Sequence, residues 1–319
     1  MGWKKKFAFA TALATGTTLT LHTINKLIHL SAHKDIFETA SSTLDYNWKF
    51  GNVSYTKQGS GAPILLVHDL SSFSSSLEWK HVVDEFSQTY TVYTLDLLGC
   101  GHSDKPNITY TSYLYVQLIT DFIKQVIKEK TSIIATGNSS AFILAACQND
   151  KSIIDKIVLV NPTDIKQLTK NPGKKSKAFA KLINLPVFGT FVYNLYTSKD
   201  ELYKLFEERY YSDATKIEES LIAEYYANAH TGMSDSKYVF SSLAGKYTTI
   251  NIKNCIKDVD NSIFIYVGDE QDKYYDIALN YKEVIPSIEI VKFENSNYLP
   301  QLEHADNFVE QTNILFTNI

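Results

Sequence analysis

From about Asp45 onward, short runs of Ile, Val and Leu recur along the chain, separated by longer stretches with apolar residues at helical spacing. The runs Ile64–Val67, Tyr90–Leu95, Ser132–Ala135, Ile157–Val160, Ile263–Val267 and Ile288–Phe293 read as strands buried on both faces. A continuous apolar run is what a parallel sheet covered by helices on both sides requires. Tyr113–Lys128 and Ser139–Asn149 carry the stripe of crossover helices, and Tyr46–Tyr55 reads as a strand pair joined at Gly51-Asn52. Strands alternating with helices predict an α/β architecture with a mostly parallel central sheet.

The rhythm breaks between Pro162 and Thr249. No buried strand is evident there, and Lys, Tyr and Phe fall at helical spacing over Ala178–Leu182, Phe188–Tyr196, Leu202–Tyr210 and Ile217–Ala229. So long an insertion between two sheet strands is expected to be a helical cap over residues 162–249 rather than a loop. The sheet-bearing core then comprises residues 45–161 and 250–319.

Residues 1–34 form a separate segment. Lys4, Lys5 and Lys6 precede an uncharged stretch from Phe7 to Asn25, long enough as a helix to span roughly 28 Å of a ~30 Å hydrocarbon core. The expectation is an uncleaved membrane anchor, with the membrane as partner and the main domain exported, because the lysines favour a cytoplasmic N-terminus. Its many threonines, Gly16 and His22 make the apolarity marginal. A cleaved signal segment or a helix lying on a membrane or docked on the domain are the alternatives.

Charge narrows the partners. Lys and Arg total 31 against 35 Asp and Glu, a net charge of −4, without the basic surplus of a nucleic-acid-binding protein. The single arginine, Arg209, leaves no repeated bidentate recognition of phosphate. Cys100, Cys147 and Cys255 form no CxxC pair and suggest neither a disulfide framework nor a zinc site. Neither a metal nor another cofactor is expected.

The most informative string is Ser132-Ile133-Ile134-Ala135-Thr136-Gly137-Asn138-Ser139-Ser140-Ala141, a strand entering Gly-x-Ser-x-Ala and then a helix. Small flanking residues suit a tight turn that lifts a hydroxyl to a helix N-terminus, where developing negative charge is favoured. Two further strings precede it: Pro63-Ile64-Leu65-Leu66-Val67-His68-Asp69-Leu70, and Asp96-Leu97-Leu98-Gly99-Cys100-Gly101-His102-Ser103-Asp104-Lys105-Pro106. With Leu299-Pro300-Gln301-Leu302-Glu303-His304 near the end, the chain resembles the α/β-hydrolase fold superfamily from about Tyr46 to Phe316. The resemblance implies a Ser–acid–His triad in that chain order. Ser139 would be the nucleophile, and the backbone N–H groups of Ser140 and Leu70 would be the oxyanion donors. The acid would follow the strand Ile263–Val267, with Asp272 as first choice and Glu270 and Asp164 as alternatives.

The resemblance also exposes two departures. The position of the family's histidine holds Tyr298, and a phenol with a pKa near 10 cannot take a serine proton at neutral pH. Where the family usually has glycine beside the oxyanion pocket, the chain has Asp69, whose carboxylate would repel an oxyanion. Cap tyrosines such as Tyr193, Tyr210 and Tyr225 suggest a roof over an apolar cleft for a small apolar ligand. The resulting expectation is a serine hydrolase of ester or lipid-like substrates, impaired because Tyr298 replaces the base. The alternative is a non-catalytic member that binds a ligand or partner.

Overall fold

A computed structural model describes residues 3–32, 43–253 and 256–317. Eight strands build one sheet: β1 (Leu44–Trp48), β2 (Gly51–Gly59), β3 (Pro63–Val67), β4 (Thr91–Leu95), β5 (Thr131–Thr136), β6 (Ile154–Val160), β7 (Ile263–Gly268) and β8 (Glu289–Phe293). Their order is β1-β2-β4-β3-β5-β6-β7-β8. β1, β2 and β4 pair antiparallel, and every pairing from β4 through β8 is parallel. Leu65, Val67, Ile133 and Leu159 fill the core on one face, while Ile64, Leu66, Ile134 and Val158 fill the other. That two-residue alternation is why both faces of β3, β5 and β6 must be apolar.

Two expectations need adjustment. The hairpin turns at Lys49 and Phe50, with Trp48 opposite Gly51, so Gly51 and Asn52 already belong to β2. β8 is the edge strand, and its Glu289 and Lys292 are exposed rather than covered by helices.

Core helices are α2 (Val83–Phe86), α3 (Ser112–Phe122), α4 (Ser139–Asn149), α11 (Asp272–Val284), α12 (Pro300–Glu303) and α13 (Ala305–Thr317). Between β6 and β7 lies the helical insertion: α5 (Ile165–Leu168), α6 (Lys174–Ile183), α7 (Phe188–Tyr196), α8 (Lys199–Leu205), α9 (Glu219–Ser234) and α10 (Lys237–Ala244). The fold is thus a mostly parallel sheet flanked by helices with an inserted helical region.

The expected membrane anchor is overturned. Among the described residues, no helix is long and apolar enough to cross a membrane. The segment is a long helix, α1 (Trp3–Ala32), but its threonines, Gly16, His22 and Asn25 dilute its apolarity, and its C-terminal half docks on the cap. Asn25 Nδ2 donates to the Val187 carbonyl at 2.9 Å, and Asn25 Oδ1 accepts from Asn194 Nδ2 at 3.1 Å. His29 Nδ1 donates to the His230 carbonyl at 2.8 Å. Buried amide hydrogen bonds of this kind suit a protein interface, because each would be costly to strand in hydrocarbon. The membrane as partner and the anchored location fall with the anchor.

Candidate active site

β5 delivers the chain to the centre of the sheet and Gly137 turns it sharply into α4. Gly137 has φ +56, and a Cβ there would lie 2.1 Å from the Tyr298 hydroxyl and 2.5 Å from Asp69 Cγ. Only glycine fits, on both backbone and steric grounds. Ser139 is the first residue of α4 and is fully buried. Its hydroxyl donates to the His68 carbonyl at 2.6 Å. Ser140, equally buried, directs its hydroxyl to the Ala135 carbonyl at 3.3 Å. Both hydroxyls therefore bond to backbone carbonyls.

Across from the turn, the loop after β3 carries Asp69, whose carboxylate is the hub. Oδ1 accepts from the Asn138 backbone N–H at 2.7 Å and from Asn138 Nδ2 at 3.0 Å. Oδ2 accepts from the Tyr298 hydroxyl at 3.0 Å. Charge-assisted bonds of this kind are the stronger class. Behind it, the Asp69 N–H donates to Glu78 Oε2 at 3.0 Å. Glu78 is fully buried, and burial, reinforced by the Asp69 charge, pushes its carboxyl well above the usual range. His68 is locked as well. Its Nε2 accepts from the Leu97 N–H at 3.0 Å and its Nδ1 donates to the Asp69 carbonyl at 2.7 Å. Burial lowers its pKa and keeps the ring neutral.

Tyr298 is held between β8 and α12 at the base position. Asn161 Nδ2 donates to the Asn297 and Tyr298 carbonyls at 3.2 and 2.9 Å. The ring stacks on Tyr210 at 5.4 Å between centroids, and the Arg209 guanidinium lies 4.3 Å from its centre. Burial, and then the Asp69 carboxylate, push the phenol well above its ordinary value despite Arg209. Tyr298 is thus a permanent hydrogen-bond donor, and proton abstraction by it is disfavoured at any physiological pH.

The candidate acids lie elsewhere. Asp272 opens α11 on the surface, Glu270 is exposed, and Asp164 caps α5 by accepting from the Lys166 N–H at 2.9 Å. The neighbour that reaches the Tyr298 segment is Gln271, whose Nε2 donates to Asn297 Oδ1 at 3.0 Å. Leu70 is fully buried beside the turn, with its carbonyl 3.5 Å from Asn138 Nδ2. Other histidines are engaged by backbone: His304 Nε2 with the Asn295 carbonyl, and His230 Nδ1 with that of Tyr226. Among the described residues, no group of three or more His, Cys, Asp or Glu is arranged to hold a metal. Cys100 and Cys147 are buried free thiols, and Cys255 lies outside the described residues.

The family model for the alpha/beta hydrolase family matches residues 64–311, which include the Asp69 loop, the β5 turn and Tyr298. The chain belongs to that family. Within this alpha/beta hydrolase, the residue at the base position is tyrosine. An uncharacterized protein of Mycobacterium tuberculosis is 26% identical over 129 residues, 40% of this chain and 37% of its own length. The 2-hydroxy-6-oxo-6-(2'-aminophenyl)hexa-2,4-dienoic acid hydrolase of Metapseudomonas resinovorans is 29% identical over 108 residues, 33% of this chain. That match too spans only 37% of the relative. Among solved structures, a serine hydrolase involved in carbazole degradation superposes with a TM-score of 0.71 at 18% identity, covering 87% of this chain and 99% of that one.

Glu78 and Asn138 do not stand out in the sequence as members of this constellation. A carboxyl beside Trp79 in an otherwise Ser-rich loop is the one available signal for Glu78. Asn138 lies inside the motif, but the motif alone gives no sign that Asp69, 69 positions earlier, takes its N–H.

Proposed function

We propose that this alpha/beta hydrolase is a binding member of the family that no longer runs a serine-ester reaction, its ligand a small, largely apolar molecule held between cap and core. The observation that carries this reading is the bond from Ser139 Oγ to the His68 carbonyl, made by a hydroxyl with no solvent exposure. A nucleophile must meet a base and an electrophile at once. Here the hydroxyl's proton is spent on backbone, and the base position carries a phenol that donates. The aromatic residues of the cap support the ligand class. Phe206, Tyr210 and Tyr225 form an apolar layer over Tyr298, with Phe206 at 4.9 Å from each of the two tyrosine rings.

A second reading, a weakened serine hydrolase of neutral apolar esters, is favoured by the hydrolase names of the relatives. Turnover of a series of p-nitrophenyl esters by the native chain and by Ser139→Ala separates the two. The binding reading expects identical background rates. Turnover lost with Ser139→Ala would establish the second.

A further inference from the structure

The strand-to-helix turn of this fold presents one side chain at its sharpest point, and the N–H of the following residue helps bind a developing oxyanion. In this chain the sharp point is Gly137, with its positive φ, and the following N–H belongs to Asn138. Ser139 comes two residues after the sharp point, already inside α4. The side-chain position is therefore empty, and a built Cβ there points at Asp69 Cγ and the Tyr298 hydroxyl, at 2.5 and 2.1 Å.

We infer that Gly137, rather than Ser139, holds the elbow position, and that the vacated site is a carboxylate-binding site filled from within by Asp69. Resting on the proposed non-serine reading, the inference assigns that site a ligand class. Three donors converge on one carboxylate: the Asn138 N–H at 2.7 Å, Asn138 Nδ2 at 3.0 Å and the Tyr298 hydroxyl at 3.0 Å. Asp69 is itself nearly fully buried, so these donors replace its hydration. Beyond its Cα, an aspartate side chain is an acetate group. Replacing Asp69 by glycine removes one acetate from a site whose donors remain, and a cavity matching an excised group can bind that group from solution.

The test uses the full chain carrying Asp69→Gly, titrated with sodium acetate and formate against sodium chloride at equal ionic strength. Saturable binding of acetate is expected by calorimetry, with Tm rising by roughly 2 °C at tenfold excess over Kd for a chain of this size. The native chain, its site already filled, shows no such rise. Tyr298→Phe added to Asp69→Gly removes one donor to a charged acceptor and weakens acetate at least about tenfold. A folded Asp69→Gly chain whose Tm responds alike to acetate and chloride would overturn the inference. Should that variant not fold, Asp69→Asn in a two-dimensional amide spectrum decides. Loss of the carboxylate shifts the Asn138 N–H upfield and speeds its exchange, whereas an unchanged Asn138 resonance refutes the bond. Ester turnover that depends on Ser139 would defeat the functional reading alone, and a carboxylate-indifferent Asp69→Gly would defeat this inference alone.

Discussion

The Tyr298 hydroxyl and the Asp69 carboxylate, 229 positions apart in the chain, meet at 3.0 Å in the centre of the molecule. This bond ties the closing loop to the loop after β3 and sets the character of the site. Tyr298→Phe leaves one carboxylate oxygen short of a donor in a buried place. A loss of about 1.5–3 kcal/mol is expected from the value of hydrogen bonds to charged groups. Urea unfolding with an unchanged slope would measure it.

Gly137 and Ser139 differ in what a substitution costs the fold. Gly137→Ala imposes a Cβ on a left-handed residue, at about 1–2 kcal/mol, and drives it into the Tyr298 hydroxyl and Asp69. Ser139→Ala deletes one hydroxyl bond, at about 1 kcal/mol. Thermal unfolding of the two variants should rank Gly137→Ala as clearly the less stable.

Tyr298→His alone is expected to leave ester turnover at background. An imidazole at 298 would face Asp69 rather than the Ser139 hydroxyl, which remains bonded to His68. A stopped assay with p-nitrophenyl acetate reads this, and a rise of tenfold or more would show that the serine is available after all.

Two buried carboxyls set opposite pH dependences. Glu78 has a folded pKa raised by burial above its ordinary 4.5. Its contribution is fully present below that value and is lost as pH rises through the folded pKa. Glu78→Gln should therefore gain stability over the native chain as pH increases from about 4.5. For Asp96, burial alone would raise the pKa, but the side-chain and backbone bonds from His102 and the Ser76 N–H hold it at about 2. Its contribution is present above 3.8 and disappears as pH falls toward about 2, worth about 2 kcal/mol by linkage. Asp96→Asn should flatten the acid limb of a Tm-against-pH curve.

At the N-terminus, Asn25 bonds both to the Val187 carbonyl and to Asn194. Asn25→Ala strands those partners at the α1–cap interface, and a loss of about 1–3 kcal/mol is expected. Faster hydrogen exchange confined to α1 and α7 would locate the effect.

The sheet was legible because β3, β5, β6 and β7 are covered on both faces, so each carries a short run of consecutive apolar residues. β8 is half exposed, yet its β-branched pair Ile290-Val291 and the buried Phe293 still mark a strand. Tyr298 was legible as a departure because a motif surrounds it. What the sequence withheld is direction. Whether the Ser139 hydroxyl points to a cleft or to the His68 carbonyl depends on where the chain turns. One positive φ at Gly137 rather than two residues later decides that. The anchor expectation failed for a related reason: hydropathy registers Asn25 and His29 as blemishes in an apolar stretch, whereas the folded chain uses them as attachment points for α1.

The most direct measurement is the intact mass of the native chain after prolonged exposure to a fluorophosphonate probe at neutral pH. With Ser139 bonded to backbone and a phenol in place of the base, the account predicts an unmodified mass. An added phosphonyl group that maps to the peptide containing Ser139 would contradict it.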